Sequence, residues 1–303
     1  MSGPGSAATE RWLSEFADLD LRPTAELLGL FIEGELAALR ALQQRLGQLI
    51  PVVDALAGRF AAGGRMVYAG AGTAGRLGLL DAAECGPTFG VGPDRVTAVV
   101  AGGSPASARA VEGAEDRPDD GHAAVAALSL HPTDALIAVS ASGRTPFTLG
   151  AARAGAAAGA LTAAVVCDED TPLAAAVDMA VELPVGPEFL AGSTRLKAGT
   201  VQKVVLNALS TLVMVRTGRT FGNLMVDLRA VNAKLRDRAR RIVALATATD
   251  VAAAGQLLDA ADGEVKTAIV AGLTHQPPAE ARARLARCGG RVREAAGLGR
   301  RER

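Results

Sequence analysis

Residues 66–90 read MVYAGAGTAGRLGLLDAAECGPTFG, and this stretch decides which fold the sequence predicts. The apolar residues 66–69 predict a buried strand, and the glycines from Gly70 to Gly75 predict a tight turn into a helix. A strand, a glycine turn and a helix in this order direct backbone N–H groups at an anion. The stretch therefore predicts an anion-binding loop after the first strand.

The helix that follows the loop carries a carboxylate among its leucines. Leu77, Leu80 and Glu84 are spaced i, i+3 and i+7, so they share one face of the predicted helix. A carboxylate on an apolar face is costly to ionise unless it is paired or lines a pocket. Glu84 is therefore a candidate acid or base near the loop, and burial there would favour its protonated form.

Further along the chain, short apolar runs predict the strands of a sheet. Each run is separated from the next by a segment long enough for a helix, and this alternation favours a parallel sheet covered on both faces. Ligands of such sheets bind at the carboxyl ends of the strands, where the first and third runs end in Gly- and Ser-rich loops. The five predicted strands are residues 66–69, 96–100, 135–139, 163–167 and 179–183.

Helices are predicted on both sides of the strand-rich region. Leucines at three- and four-residue steps predict helix over residues 9–62, with a boundary at Pro51. Ser193 or Thr194 is expected to cap a long helix that Gly218 stops.

The C-terminal part is predicted to be helical from residue 223 to 247 and again from 248 onward, as a small subdomain. Its arginine-rich end favours a solvated helix face over a nucleic-acid surface. The predicted division is an N-terminal helical segment 1–62, a ligand-binding domain 63–220 and a C-terminal helical region 221–303.

Composition excludes several classes of protein. Lys+Arg and Asp+Glu both number 32, and this balance disfavours nucleic acid or an anionic membrane as a partner. The chain is 49 % apolar but 3 % aromatic, which favours closely packed helices with few bulky side chains. The three cysteines and three histidines lack the spacing of a disulfide framework or a metal site, so no metal is predicted.

The start of the chain is small and polar and lacks the pattern of a signal peptide. No run approaches the roughly 20 apolar residues that a membrane helix needs. We therefore expect a cytoplasmic protein without a membrane partner.

Residues 70–75 also match the G-x-G-x-x-G pattern of dinucleotide-binding proteins. That fingerprint requires an acidic residue at the end of the second strand, where residues 99–103 read VVAGG. Asp94 precedes this strand and so lies at its wrong end. The sequence therefore disfavours NAD or FAD, and no cofactor is predicted.

A second loop, SASGRT at residues 140–145, follows the third predicted strand. Its hydroxyls and backbone N–H groups can surround a phosphate monoester, to which the arginine adds positive charge. The alternative is an ordinary capped loop, since Ser and Thr are common helix caps. Two such loops at neighbouring strand ends favour phosphate binding.

The acidic segment 110–116, AVEGAED, has two interpretations. It is either a solvated turn or the source of a second carboxylate that works with Glu84 as an acid–base pair. Spacing alone does not choose among Glu112, Glu115 and Asp116.

Together these segments resemble the N-acetylmuramic acid 6-phosphate etherases. The resemblance extends from about Thr9 nearly to the C-terminus. The matching blocks, in order, are GAGTAGRLGLLDAAECGPTFG at 70–90, AVEGAED at 110–116, SASGRTPF at 140–147, GPEFLAGSTRLKAGTVQK at 186–203 and FGNLMVDLRAVNAKLRDRARRI at 221–242.

The resemblance implies a sugar isomerase (SIS) fold, a doubly wound parallel sheet, in a cytoplasmic homodimer. It places the family's two essential glutamates on Glu84, in DAAEC, and Glu115, in EGAED. Two departures stand out: Ala74 replaces the serine that the family usually has in its phosphate loop, and Gly86 replaces a proline beside Glu84. The implied phosphate and sugar contacts are Gly72, Thr73, Ser142, Gly143, Arg144, Thr145 and Ser193.

The activity that the resemblance implies is cleavage of the D-lactyl ether of a phosphorylated amino sugar, N-acetylmuramate 6-phosphate. Elimination followed by rehydration would give N-acetylglucosamine 6-phosphate and D-lactate in the recycling of cell-wall sugars. Glu84 would be the acid and Glu115 the base. The alternatives on the same fold are an aldose–ketose isomerase and a non-catalytic phosphosugar sensor.

Overall fold

The computed structural model describes residues 7–228 and 233–299. Five parallel strands form a sheet of order β2-β1-β3-β4-β5, and each predicted strand is confirmed to within about two residues. The strands are Met66–Gly70 (β1), Val96–Val100 (β2), Ala135–Ser140 (β3), Leu161–Val166 (β4) and Met179–Glu182 (β5).

Helices precede, connect and follow these strands. Those in the first part of the chain are Thr24–Gln44 (α1), Leu46–Ala61 (α2), Gly72–Phe89 (α3), Pro118–Ala126 (α4), Pro146–Ala157 (α5), Pro172–Ala175 (α6) and Lys197–Arg216 (α7). A short antiparallel pair, Thr220–Phe221 (β6) and Leu224–Met225 (β7), comes next. The remaining helices are Ala233–Thr247 (α8), Val251–Ala260 (α9), Val265–Thr274 (α10), Pro278–Arg287 (α11) and Val292–Ala295 (α12).

The sheet is covered on both faces, and β1 illustrates how. Val67 and Ala69 point to one face, where they pack with Val125 of α4 and Ala151 of α5. Tyr68, between them, points to the opposite face and contacts α3. Because successive side chains of a strand alternate between faces, helices on both sides are required to bury this apolar strand. The doubly wound α/β prediction is therefore confirmed.

Helices α4 and α5 cross at backbone contact distance. A Cβ atom on Gly121 would lie 2.0 Å from the carbonyl oxygen of Phe147, and one on Gly150 would lie 1.9 Å from that of Pro118. Each helix thus contributes a glycine at the place where the other helix's backbone approaches. This confirms the close helix packing expected from an apolar composition poor in aromatic residues.

The N-terminal helical prediction is correct in kind but wrong at its boundary. Helix α1 ends at Gln44 and α2 begins at Leu46, so Pro51 lies inside α2. A proline there removes a backbone hydrogen bond, but Val52, Val53 and Leu56 are buried and hold the helix against the core. Residues 9–21 form short 3₁₀ turns rather than continuous helix.

The end of α7 is as predicted. Gly218 has a φ of 80°, and the N–H of Arg219 donates to the carbonyl oxygen of Met214 at 2.9 Å. A glycine in the left-handed region is the usual helix stop.

The prediction of helix from residue 223 is wrong for its first part, because Leu224–Met225 is a strand paired with Thr220–Phe221. The intervening Gly222 has a φ of 58°, which the tight turn requires. Helix begins instead at Ala233, and residues 229–232 lie outside the described residues.

The chain divides into two compact units. Residues up to 83 together with 93–210 form the first, which contains the sheet, α1 and α2. Residues 84–92 together with those from 211 onward form the second. This division differs from the predicted boundaries at 62 and 220, since the N-terminal helices belong to the sheet unit and residues 84–92 to the C-terminal one.

The second unit has a hydrophobic core of its own. Val243 of α8, Ala254 of α9 and Ile269 of α10 are buried in it, with Leu285 of α11. Side chains from Val226 to Ala295 contribute to this core.

Helix α7 is long and apolar enough, by length and composition, to span a membrane. In this structure, however, 56 % of its apolar window is buried within the protein. It also carries Asn207 and Ser210, whose side chains donate hydrogen bonds to a buried aspartate. We therefore interpret α7 as a core helix.

Candidate functional site

The first loop of the site joins β1 to α3. Gly72, with a φ of 53°, begins the helix, so the first N–H groups of α3 have no partner within the helix itself. A Cβ atom on Gly75 would lie 2.5 Å from the carbonyl oxygen of Gly70, so only glycine lets the helix approach the strand this closely. The predicted strand–turn–helix arrangement is confirmed.

The second loop, residues 140–145, joins β3 to α5 and holds itself together. The hydroxyls of Ser140 and Thr145 lie 2.9 Å apart, and the N–H of Gly143 donates to Ser140 Oγ at 3.0 Å. Gly143 has a φ of 64°, and a Cβ atom there would lie 2.4 Å from Thr171. The N–H of Arg144 donates to Ser142 Oγ at 3.2 Å.

Both loops open into one cavity of about 370 Å³. It lies where the strand order reverses between β1 and β3, the position at which doubly wound sheets bind their ligands. Its lining residues are Glu10, Ala71, Gly72, Thr73, Ala74, Glu115, Asp116, Ser140, Ala141, Ser142, Arg144, Thr145, Pro146, Gly192, Thr194 and Gln202.

Of the three acidic candidates in the segment 110–116, Glu115 and Asp116 line this cavity. They lie in the 3₁₀ turn Ala114–Asp116, after Gly113, which has a φ of 69°. Glu112 instead lines an adjoining cavity of about 150 Å³, which Glu115 also lines. Glu115 therefore lines both cavities, as do Ala71 and Gly72 of the first loop.

Glu84 is not buried on an apolar face, contrary to the expectation. It is exposed on α3 and is absent from the cavity lining, and Leu80 is 53 % exposed. The buried residues of α3 are Ala74, Gly75, Gly78, Asp81, Cys85 and, at its end, Phe89. Most of the residues that this helix turns inward are therefore small or polar, and Leu80 and Glu84 do not lie on its buried face.

The buried carboxylate of α3 is Asp81, which is 5 % exposed. The hydroxyl of Tyr68 donates to it at 2.7 Å, Asn207 Nδ2 at 2.7 Å and Ser210 Oγ at 3.0 Å. Burial raises the pKa of Asp81, and these three hydrogen bonds oppose the shift. Asp81 therefore ties α3 to β1 and α7.

The predicted contact Ser193 is half-buried and does not line the cavity, whereas its neighbours Gly192 and Thr194 do. Helix α7 begins at Lys197 rather than directly after Ser193 or Thr194, the predicted caps. The carboxylate of Glu188 accepts hydrogen bonds from the N–H groups of Lys197 at 2.9 Å and Ala198 at 3.0 Å.

Glu188 is 1 % exposed, and burial raises its pKa, opposed by the two backbone donors. Burial likewise lowers the pKa of Lys197, whose Nζ donates to the carbonyl oxygen of Val185 at 3.0 Å. These contacts fix the loop that brings Gly192 and Thr194 to the cavity.

Among the remaining predicted residues, Gly72, Thr73, Ser142, Arg144 and Thr145 line the cavity, while Gly143 shapes the second loop through its backbone. Ala74, which lacks the serine hydroxyl of the resembling family, is 7 % exposed and also lines the cavity. With a methyl group in place of a serine hydroxyl, the start of α3 has one hydrogen-bond donor fewer than in the family that the sequence resembles.

Sequence analysis missed two polar lining residues, Glu10 and Gln202. Gln202 lies between the buried residues Val201 and Val205 on an apolar helix, and a polar side chain in that setting was a usable signal. Glu10 gives no such signal, since it reaches the cavity through a 3₁₀ turn. There the N–H of Gly192 donates to the carbonyl oxygen of Thr9 at 2.9 Å.

Within residues 7–228 and 233–299, no three His, Cys, Asp or Glu side chains are grouped in a way that could hold a metal ion. The polar lining groups are instead hydroxyls, backbone N–H groups, one guanidinium, the carboxamide of Gln202 and three carboxylates. This set suits a phosphate at one end of a ligand and proton transfer at the other.

Known proteins with similar sequences identify the family of this chain. Residues 48–155 match the family described as "Glucokinase regulatory protein N-terminal SIS domain". The chain is 52 % identical to the N-acetylmuramic acid 6-phosphate etherase of Rubrobacter xylanophilus, over 98 % of each chain. It is 49 % identical to the enzyme of the same name from Streptomyces coelicolor, over 95 % of this chain and 92 % of that one.

Among solved structures, a phosphoheptose isomerase from Francisella tularensis superposes with a TM-score of 0.51. The match covers 64 % of this chain and all of that one at 14 % identity, so it bears on the fold alone. The fold is the SIS fold, and identity near one half along almost the whole length shows that the chain belongs to the N-acetylmuramic acid 6-phosphate etherase family.

Proposed function

We propose that the protein cleaves the D-lactyl ether of N-acetylmuramate 6-phosphate and releases N-acetylglucosamine 6-phosphate and D-lactate. The observation that carries this proposal is the cavity at the β1/β3 switch point, which two phosphate-type loops and Glu115 line together. A relative that bears the etherase name at 52 % identity supports it.

The phosphate group would lie at the two loops. The first turn of α3 offers unpaired N–H groups and the positive end of the helix dipole, which favour an anion. Thr73, Ser142 and Arg144 add hydroxyl and guanidinium donors on the same wall. The three carboxylates of the cavity repel a phosphate, so the sugar ring would extend from the loops toward Glu115.

Glu115 is the proposed base. In the open-chain form of the sugar, the C1 aldehyde makes the C2 proton acidic, and a carboxylate can remove it. The C3–O bond then breaks, and the lactate oxygen leaves as it takes a proton from an acid. Water adds at C3 of the unsaturated aldehyde to complete the product. Binding of the remote phosphate would orient C2 and C3 for these steps.

Glu84 is the proposed acid, and this assignment rests on its position in the DAAEC motif. In the single chain it is exposed beside Leu79 and Leu80, which are 36 % and 53 % exposed. We propose a cytoplasmic homodimer, in which a second copy covering this face would remove the carboxyl group from water and favour its protonated form. Sedimentation velocity measures whether the chain associates.

The test of this function is release of D-lactate from N-acetylmuramate 6-phosphate by the purified chain. Glu84→Gln and Glu115→Gln should each abolish release, because an amide can neither give nor take the proton. Binding of N-acetylglucosamine 6-phosphate should stay within a few-fold. Asp119→Asn, an exposed change close by in sequence that leaves both cavity linings intact, should keep full activity.

Isotopes identify the bond that breaks. Elimination and hydration predict deuterium from solvent at C2 and ¹⁸O from water at C3 of the product sugar. Full activity of either glutamine variant contradicts the assignment of roles. Turnover of a sugar phosphate without lactate would instead indicate an isomerase.

A further inference from the structure

Buried polar atoms without a partner are informative because a buried donor left unsatisfied costs free energy. Among the described residues, such atoms occur on the side chains of Thr9, Glu35, Thr148 and Gln202. Of these four residues, Gln202 alone lines the cavity. Its side chain is 1 % exposed, and its Nε2 has no acceptor within the part of the chain that the structure describes.

The place of Gln202 on α7 indicates which part of a ligand it faces. Gly199 precedes it by three residues and so shares its helix face. A Cβ atom on Gly199 would lie 3.3 Å from Thr73 Cγ2, so this face of α7 packs on the first turn of α3. Further along, Asn207 and Ser210 donate to Asp81, so the two helices run side by side.

Gln202 therefore lies next to the first turn of α3, where backbone N–H groups and the helix dipole favour an anion. An amide N–H₂ group there can donate to an anionic oxygen, and the cavity walls nearby supply hydroxyls and N–H groups that do the same. We propose that Gln202 is a ligand of the phosphate group, with Nε2 donating to a phosphate oxygen. This proposal rests on the proposed function only for the identity of the sugar attached to that phosphate.

The test measures binding of inorganic phosphate and of N-acetylglucosamine 6-phosphate to the full chain by calorimetry. Gln202→Met keeps the length of the side chain but removes the donor. It should weaken the binding of both ligands about 10- to 100-fold, which corresponds to one hydrogen bond to a charged group. Gln202→Glu places a carboxylate against the phosphate and should weaken binding further. Gln43→Met, on the exposed surface of α1, is the matched control and should bind as the original chain does.

Thermal unfolding separates a ligand contact from a structural one. Because Nε2 has no partner within the described protein, Gln202→Met should leave the Tm of the unliganded chain unchanged or raise it. Unaltered affinity for both ligands in Gln202→Met overturns the proposal, and so does a lowered Tm with unaltered affinity. A chain that binds phosphate through Gln202 but releases no lactate would refute the etherase activity while leaving this contact intact.

Discussion

Asp81 shows how one residue organises the elements around the site. Its carboxylate accepts hydrogen bonds from Tyr68, Asn207 and Ser210, which belong to β1 and α7. The same helix α3 begins at the phosphate loop, so a change at Asp81 should displace Thr73 through the helix.

Replacing this carboxylate tests its structural role. Asp81→Ala leaves three donors without an acceptor and should lower the free energy of unfolding by about 2–4 kcal/mol, as measured by urea denaturation. Asp94→Ala, at an exposed loop position, should change it by no more than about 0.5 kcal/mol. Equal stability of the two variants would contradict this role.

The same residue gives a pH dependence of known sign. Burial raises the pKa of Asp81 above its ordinary value of 3.8, so the folded chain holds this proton more tightly than the unfolded chain. Its contribution to stability is therefore complete below the unfolded pKa and is lost as pH rises through the folded pKa. The side chain of the Asp81→Asn variant does not titrate. As pH rises above about 4, the unfolding free energy of the original chain should therefore fall relative to that of the variant.

Asp81 and Glu84 also show why sequence alone misplaced the buried carboxylate. Three helical residues correspond to about 300° of rotation, so the two side chains lie only about 60° apart around α3. Leu77 and Leu80 led to the prediction that the face carrying Glu84 is buried. The face that is buried in the structure carries Ala74, Gly78, Asp81 and Cys85. A buried helix face made mostly of small and polar residues cannot be predicted from the hydropathy of the sequence.

At the scale of elements, the strands and the two loops could be predicted because their signals are local. Apolar runs mark the strands, and glycine and hydroxyl residues mark the turns into α3 and α5. The signal for the strand pair β6–β7 is equally local, since Gly222-Asn223 is a turn sequence, but the sequence analysis predicted helix from residue 223. Gln202 offered a signal, as a polar residue on an apolar helix, but its place at the cavity required the folded chain. Glu10 offered none, because it comes from a segment distant from both loops.

The crossing of α4 and α5 determines how far Glu115 lies from the phosphate loops. Glu115 is in the turn before α4, and Thr145 directly precedes α5. Gly150→Ala would place a methyl carbon 1.9 Å from the carbonyl oxygen of Pro118 and must push the helices apart. Stability should fall by about 1–3 kcal/mol, and kcat/KM for lactate release should fall at least about tenfold.

Gly58→Ala is the control for that change. Gly58 lies in α2, and a Cβ atom there would meet nothing within 4 Å. Alanine should raise stability by about 0.5–1 kcal/mol, because glycine is a poor helix former. Unchanged kcat/KM in Gly150→Ala would show that the crossing does not position the catalytic turn.

At the scale of the whole molecule, two hydrophobic cores predict two cooperative regions. Ile137 of β3 and Ile269 of α10 are both fully buried, one in each unit. Each change to alanine should cost about 2–5 kcal/mol. In hydrogen exchange, Ile269→Ala should lower amide protection mainly in residues 233–299, and Ile137→Ala mainly in the sheet. The same loss across both regions in each variant would indicate a single cooperative core.

The second loop has a practical consequence for enzymology. The Ser140 hydroxyl already bonds to both Gly143 and Thr145, so an incoming tetrahedral anion has little backbone left to order. Orthophosphate carries the same oxygens as the ester end of a sugar phosphate and should compete for this loop. Rates measured in phosphate buffer should therefore be lower than those in an amine buffer at the same pH and ionic strength.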